Sequence, residues 1–184
     1  MVEKWLHKCL ILFIFARVIL GMDIDCSKQP DNINPDFCCG TPIFFDDDLV
    51  FQCENSLGLN DTMYIDLAGD ACVSECLFNK TSINANGHIN KDILQAKLME
   101  KIRNNWWRDM LPEFIDYCID SSEHQKQELP RENSTLKRQC RPNSLLVIDC
   151  IYLKLFGNCP EEIWRDTKRC QNLRNYVIHC TNQN

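Results

Sequence analysis

Cysteine is the residue type with the most evident chemistry in this chain. The 184 residues contain 13 cysteines, and twelve of them follow a hydrophobic leader. An even number of thiols in a secreted chain is typical of a disulfide framework, so we expect six bridges and no free thiol. The twelve cysteines are Cys26, Cys38, Cys39, Cys53, Cys72, Cys76, Cys118, Cys140, Cys150, Cys159, Cys170 and Cys180.

Two short spacings among these cysteines limit how they can pair. Cys72 and Cys76 are four positions apart in a predicted helix, so they share one face, and each can tie the helix to a different neighbour. Cys38 and Cys39 are adjacent and are expected to bond to two different partners. The local sequence therefore excludes some pairings without selecting one.

Residues 1–21 are typical of a secretory signal peptide. Two lysines open the segment, the stretch 9–20 is apolar except for Arg17, and Gly21 suits cleavage. The apolar run is too short to span a bilayer comfortably, and no second run of about 20 apolar residues follows, so we expect no stable membrane insertion. An uncleaved membrane anchor is the alternative. Residues 22–184 are then a single secreted domain.

The acidic charge of the predicted mature chain argues against a nucleic-acid partner. Residues 1–21 carry three basic residues and one acidic residue, so their removal changes the formal net charge from −6 to −8. Three glycosylation sequons, at Asn60, Asn79 and Asn133, agree with secretion.

A chain of this length can bury an ordinary core without cross-links. Six disulfides therefore suggest either a harsh extracellular medium or a hollow interior whose lost packing they offset.

The elements that would position the cysteines are mostly helical. Asn90 is a candidate N-cap, Pro112 is expected in the first turn of a helix that begins near Asp109, and Pro160 is expected at the start of the last helix. The stretch 144–156 is apolar nearly all round, which predicts a buried helix. The predicted elements are helices over 46–53, 70–78, 91–103, from about 109, over 144–156 and from 160 towards 180, a turn at Asn86-Gly87 and an exposed polar loop over 119–139.

No catalytic constellation is present in the sequence. The histidines of the predicted mature chain, His88, His124 and His179, lie in a turn, in the polar loop and beside the C-terminus, where solvated side chains are expected. The carboxylates of 46–48 suit a helix start better than a calcium site. The cysteine pair four positions apart suits disulfides better than zinc. We therefore expect no enzyme activity, no metal and no cofactor.

Large apolar residues cluster in the second half of the chain. Each is more typical of plain core than of a pocket, but as a set, together with surplus disulfides, they favour an apolar ligand cavity. Trp106 and Phe114 are the strongest candidates for its walls. The predicted ligand-binding residues are Trp106, Trp107, Met110, Leu111, Phe114, Leu145, Ile148, Ile151 and Leu155.

The ordered set of cysteines resembles the insect odorant-binding proteins of the Plus-C subfamily. The six framework cysteines of that family would be Cys53, Cys72, Cys76, Cys118, Cys150 and Cys159, with Pro160 as the proline that follows the sixth. The resemblance implies that the first framework cysteine pairs with the third, the second with the fifth and the fourth with the sixth. The implied bonds are Cys53–Cys76, Cys72–Cys150 and Cys118–Cys159, although Cys38 or Cys39 could replace Cys53, and the six other cysteines stay unassigned.

The resemblance also implies fold and function. The fold would be all-α, a compact disulfide-cross-linked helical domain of about six to eight helices around an apolar cavity. The protein would be secreted into sensillar lymph or another body fluid, bind small hydrophobic molecules such as odorants or pheromones, and deliver them to an odorant receptor. A secreted structural or inhibitory protein with a filled core, which binds another protein, is the alternative. A lipid-acting hydrolase is a third class, and the missing nucleophile–histidine pair argues against it.

Overall fold

The computed structural model describes residues 24–28, 30, 33–59, 67–85, 87–125 and 140–181. The leader and the sequons at Asn60 and Asn133 lie outside the described residues. Within them the fold is all-α, as predicted, and no helix is long and apolar enough to cross a membrane. The elements are α1 (Pro35–Cys38), α2 (Asp47–Leu57), α3 (Leu67–Lys80), β1 (Asn84–Ala85), β2 (His88–Ile89), α4 (Lys91–Lys101), α5 (Asn105–Gln125), α6 (Asn143–Gly157) and α7 (Lys168–Cys180).

Helix α6 is the centre of the hydrophobic core. It packs against α3, α5 and α7, and its inner face, formed by Val147, Ile151 and Leu155, is fully buried. Each such side chain contributes roughly 2 kcal/mol of burial free energy. The prediction of a buried helix over 144–156 is therefore confirmed for this face. Asp149 and Leu153 are exposed on another side of the helix, so α6 is not surrounded by protein all round.

Local capping explains where the helices of the first half begin and end. The side chain of Asn90 accepts a hydrogen bond from the Ile93 N–H at 3.1 Å, which confirms Asn90 as the N-cap of α4. Helix α2 ends at Gly58, whose φ of 74° lies in the left-handed region that glycine adopts readily. The β1–β2 hairpin turns at Gly87, with φ 82°, where the sequence predicts a turn.

Helix α5 begins earlier than the sequence indicates. It starts at Asn105 rather than near Asp109, so Pro112 lies inside the helix and not in its first turn. The Asn104 side chain accepts from the Trp107 N–H at 3.4 Å, and the Arg108 guanidinium donates to the carbonyls of Met99 in α4 and of Ile102, the residue after it. These contacts stabilise the earlier start, at the cost of the one hydrogen bond that Pro112 cannot donate.

The N-terminal part of the predicted polar loop also differs from expectation. Helix α5 continues to Gln125, so only 126–139 of the predicted loop lies beyond it, and that stretch is outside the described residues.

Pro160 begins a single turn rather than the last helix, because the Trp164 N–H donates to the Pro160 carbonyl and the chain then leaves helical geometry. Helix α7 starts at Lys168, with the Thr167 hydroxyl accepting from the Cys170 N–H at 3.2 Å.

All twelve cysteines after the leader are paired, which confirms the prediction of six bridges. Cys72 and Cys76 have different partners, as do Cys38 and Cys39, again as predicted. The bonds are Cys26–Cys180, Cys38–Cys170, Cys39–Cys159, Cys53–Cys76, Cys72–Cys140 and Cys118–Cys150.

Two of the three implied framework bonds are wrong. Cys53–Cys76 is present, but Cys72 bonds to Cys140 instead of Cys150, and Cys118 bonds to Cys150 instead of Cys159. Cys150 lies in the middle of α6, which packs directly against α5, the helix that carries Cys118. The end of α6 lies about 10 Å beyond Cys150 at 1.5 Å per residue, and Cys159 lies further still. It is therefore too far away for the same partner.

The implied order of pairing is nevertheless kept. Cys140 and Cys150 can be taken as the fifth and sixth framework cysteines. The observed bonds then join the first cysteine to the third, the second to the fifth and the fourth to the sixth. The six remaining cysteines then form a separate set. In it, Cys26, Cys38 and Cys39 near the N-terminus bond to Cys180, Cys170 and Cys159 near the C-terminus, in nested order.

Candidate ligand-binding site

A depression of about 400 Å³ lies between the N-terminal segment 34–43, α6 and α7. It is partly open to solvent, and its walls are mostly apolar. Its lining residues are Asn34, Pro35, Asp36, Thr41, Pro42, Ile43, Asp149, Tyr152, Leu153, Phe156, Leu173 and Val177. We call it the α6–α7 depression.

The floor and the rim of the depression differ in burial. Phe156 and Val177, at the floor, are 4% and 7% exposed. Ile43 and Leu153 are 71% and 37% exposed, although both are large apolar side chains. Leaving such side chains in water forgoes the free energy of burying them. An apolar ligand in the depression would cover part of this surface.

The N-terminal wall is held in place by the second set of disulfides. Cys38–Cys170 ties the end of α1 to α7, and Cys39–Cys159 ties the next residue to the turn that follows α6. The Arg165 N–H also donates to the Cys38 carbonyl at 2.9 Å. The segment contains little regular structure of its own, so these covalent bonds replace the packing that would otherwise order it.

Tyr152 connects the N-terminal wall to α6. Its ring packs against Phe44 with the ring centroids 4.7 Å apart, and its hydroxyl accepts a hydrogen bond from the Phe44 N–H at 3.4 Å. Burial raises the pKa of the Tyr152 hydroxyl, the Phe44 N–H opposes this, and the carboxylates of Asp36 and Asp149 raise the pKa further. The hydroxyl of Tyr152 is therefore neutral in solution and stands within electrostatic reach of both carboxylates.

Asp149 is the most perturbed acid of the depression. The surrounding protein raises its pKa to about 6, and the Asp70 carboxylate on α3 adds to the rise. The side chain keeps contact with water, so desolvation is partial. Asp36, on α1, accepts a hydrogen bond from the Thr41 hydroxyl at 3.2 Å. The depression thus combines apolar walls with two acids and one phenol.

A second, larger groove of about 710 Å³ lies between the turn at 161–166 and α7. Its lining is mostly polar and charged, and Arg174 fills part of it by stacking over Trp164 at 4.9 Å and donating to the Gly157 carbonyl. Size favours this groove, but an apolar ligand gains little from polar walls. The α6–α7 depression is therefore the better candidate site.

Comparison with known proteins indicates the same family as the order of the cysteines. A family model described as AgamOBP47-like matches residues 42–176. The chain belongs to this family. Odorant-binding protein 47 of Anopheles gambiae is 23% identical over 153 residues, which cover 78% of this chain and 67% of that protein. General odorant-binding protein 67 of the same species is 20% identical over 163 residues, which cover 85% and 78%.

Membership in the AgamOBP47-like family confirms the resemblance to odorant-binding proteins, and six disulfides fit the Plus-C subfamily. The matched residues contain all three framework disulfides. They begin at Pro42, so Cys26, Cys38 and Cys39 precede the match. The N-terminal wall of the depression therefore lies mostly outside the part of the chain that the family model matches.

The structure places the predicted ligand-binding residues elsewhere. Trp106 is 56% exposed, Met110 is partly buried, and the other seven are buried. Trp107 is held by hydrogen bonds from its Nε1 to the carbonyls of Leu155 and Asn158, both at 3.1 Å. None of the nine residues lines the α6–α7 depression. Their contact with a ligand stays a prediction.

A signal for the depression was present in the sequence. Asp149, Tyr152, Leu153 and Phe156 stand at positions i, i+3, i+4 and i+7 of α6, which is the spacing of one helix face. Leu173 and Val177 share a face of α7 in the same way. What the sequence did not show is which segment covers these faces, because segment 34–43 has no periodic pattern.

Proposed function

We propose that the protein is a secreted carrier that takes small hydrophobic molecules into the α6–α7 depression and transports them through extracellular fluid. The observation that carries the proposal is the apolar depression itself, with exposed apolar side chains at its rim. Its volume lies within the range of small-molecule sites. The relatives are named odorant-binding proteins, which supports odorants or similar volatile compounds as the ligands.

The energetics fit a carrier better than a tight receptor. Burial of roughly 300 Å² of apolar ligand surface gives about 7 kcal/mol at 25 cal/mol per Å². Lost ligand freedom and the open side of the depression lower this gain. We therefore expect dissociation constants of about 1 μM or weaker, so that the ligand can also be released to an odorant receptor.

A pair of matched variants tests the location of binding. Leu153→Ser removes an apolar rim residue of the depression, and Ile163→Ser removes an apolar residue of similar exposure, 40% against 37%, that does not line it. A neutral fluorescent apolar probe, Nile red, is titrated into each variant and displaced with neutral volatiles. We expect Leu153→Ser to weaken binding several-fold and Ile163→Ser to leave it unchanged.

The same titration separates the carrier from the alternative class. A folded protein that binds neither the probe nor any apolar competitor would instead be a filled-core protein that acts through its surface. The tight packing of Trp107, Leu111 and Ile151 in the core is the observation that favours this alternative. Equal weakening by both variants would place the binding outside the α6–α7 depression.

A further inference from the structure

We propose that the α6–α7 depression selects amphipathic amines, meaning small apolar molecules that carry one protonated nitrogen. The inference rests on the proposed function and concerns the class of ligand that the same site prefers. The charges of the lining residues support this preference. Two of the twelve lining residues, Asp36 and Asp149, carry carboxylates, and none is lysine, arginine or histidine.

The two carboxylates have no basic partner within the described residues. The ion pairs there join Lys28 to Asp25, Lys91 to Asp116, Lys97 to Glu100 and Lys101 to Asp46. Asp36 accepts a hydrogen bond from the Thr41 hydroxyl, a neutral group. The Asp149 carboxylate, beside apolar walls, is less well solvated than one in water. A cation brought by the ligand would offset this loss.

We expect one cation to serve both acids, because both act on the same hydroxyl. Asp36 belongs to α1 and Asp149 to α6, so the acids come from two different walls of the depression. Both act electrostatically on the hydroxyl of Tyr152. An ammonium group beside this hydroxyl would interact with both carboxylates and could also contact the face of the Tyr152 ring, a favourable site for a cation.

The apolar residues of the lining indicate the chemistry of the uncharged part of the ligand. Leu153, Phe156, Leu173 and Val177 form a wall that suits a short alkyl chain or one aromatic ring. The raised pKa of Asp149 agrees with a carboxylate that lacks a cation, because a basic neighbour would lower it. Polarity at one end and apolar surface at the other together describe an amphipathic amine.

The test compares two probes that differ in charge alone. 2-Phenylethylamine and 2-phenylethanol have the same apolar skeleton, and at a pH of about 7.5 the amine is protonated and Asp149 is ionised. Isothermal titration calorimetry gives the ratio of their dissociation constants. Both carboxylates keep contact with solvent, which limits each pair to a few-fold. We expect the amine to bind about tenfold more tightly than the alcohol.

Three variants locate the preference. Asp36→Asn and Asp149→Asn should each reduce the ratio several-fold, the double variant should remove it, and the affinity for the alcohol should stay the same. Asp120→Asn makes the same charge change on the exposed side of α5, outside the lining. It should leave the ratio unchanged, which separates the site from the general attraction of an acidic protein for cations.

Each outcome decides the inference. Equal affinity for the two probes, or a preference that persists in the double variant, would overturn the amine inference and leave the carrier function standing. A fall in the ratio in Asp120→Asn equal to that in Asp149→Asn would also overturn it. Binding of neither probe to the folded protein would overturn the carrier function as well.

Discussion

At the scale of single residues, the chain departs from ordinary solvation most clearly at Asp149. The residue lies on α6 among apolar neighbours, and desolvation raises the pKa of its carboxyl to about 6 from an ordinary value of 3.8. The folded protein therefore binds this proton more tightly than the unfolded chain. Ionised Asp149 thus lowers the stability of the folded protein.

This linkage predicts how Asp149→Asn changes the pH dependence of stability. Between pH of about 4 and 6 the folded state holds more protons than the unfolded state, so the contribution of Asp149 falls as the pH rises through this window. Asp149→Asn should be more stable than the parent at pH 7, and this advantage should shrink towards pH 4. Thermal unfolding at both pH values measures it. An equal difference at the two pH values would contradict the assigned pKa.

Three glycines give a second prediction at this scale. Gly87 has φ 82°, and a Cβ there would collide with the Arg141 guanidinium, which donates to the Gly87 carbonyl. Gly58 has φ 74° in open space, and Gly40 has open space without the left-handed φ. Substitution by alanine should destabilise by about 1 kcal/mol or more at Gly87, somewhat less at Gly58, and least at Gly40. Urea denaturation of the three variants measures these losses of stability. A smaller loss at Gly87 than at Gly58 would show that the hairpin tolerates a side chain there.

At the scale of elements, α6 serves two purposes with two faces. Val147, Ile151 and Leu155 belong to the core, while Tyr152 and Leu153 belong to the depression. The hydrophobicity of the helix predicted burial but not this division. An element that is apolar nearly all round can be covered by protein on one side and by a ligand on the other, and both states remove apolar surface from water.

The two faces can be separated by substitution with aspartate. Ile151→Asp places a charge at a fully buried position and should prevent folding and secretion. Leu153→Asp, two residues away and 37% exposed, should leave the helicity and the secreted yield nearly normal while abolishing the binding of neutral apolar probes. Circular dichroism and probe titration measure these effects. Normal secretion of Ile151→Asp would show that α6 is less buried than described.

At the scale of the whole molecule, two sets of disulfides divide the work. The framework bonds Cys53–Cys76, Cys72–Cys140 and Cys118–Cys150 join α2, α3, α5 and α6 and the segment before α6. The nested bonds join the N-terminal segment to the region after α6, and thereby build one wall of the depression. We expect the first set to serve stability and the second to serve binding as well.

Removal of one bond from each set tests this division. Both bonds close short rings. Because Cys39–Cys159 stays in place, Cys38–Cys170 closes only the ring that runs from Cys159 to Cys170. Cys53–Cys76 spans 23 residues. Replacing either pair with serine should cost about 3 kcal/mol of stability. Only the Cys38→Ser/Cys170→Ser variant should weaken probe binding. Equal binding losses in both variants would show that the N-terminal wall has no special part in the site.

The sequence by itself determined the local features of this protein. Asn90 caps α4, Gly87 turns the hairpin, and 144–156 is a helix with a buried face. Cys72 and Cys76 bond in different directions. These features were predictable because propensity, capping and periodicity act over a few residues. The ordered cysteines also identified the family. Start points that depend on neighbouring elements, such as that of α5, were wrong, because contacts of Arg108 with α4 outweigh the placement that Pro112 prefers.

Only the tertiary structure decided which cysteines bond to Cys72 and Cys118 and where the depression lies. Nine residues separate Cys140 from Cys150 and eight separate Cys150 from Cys159, so the two spacings are nearly equal in sequence. Which one is used depends on whether the middle or the end of α6 lies beside α5. The depression likewise forms where an irregular segment is bonded across two helices. Distances between remote segments have no local signature, and so the fold alone determines them.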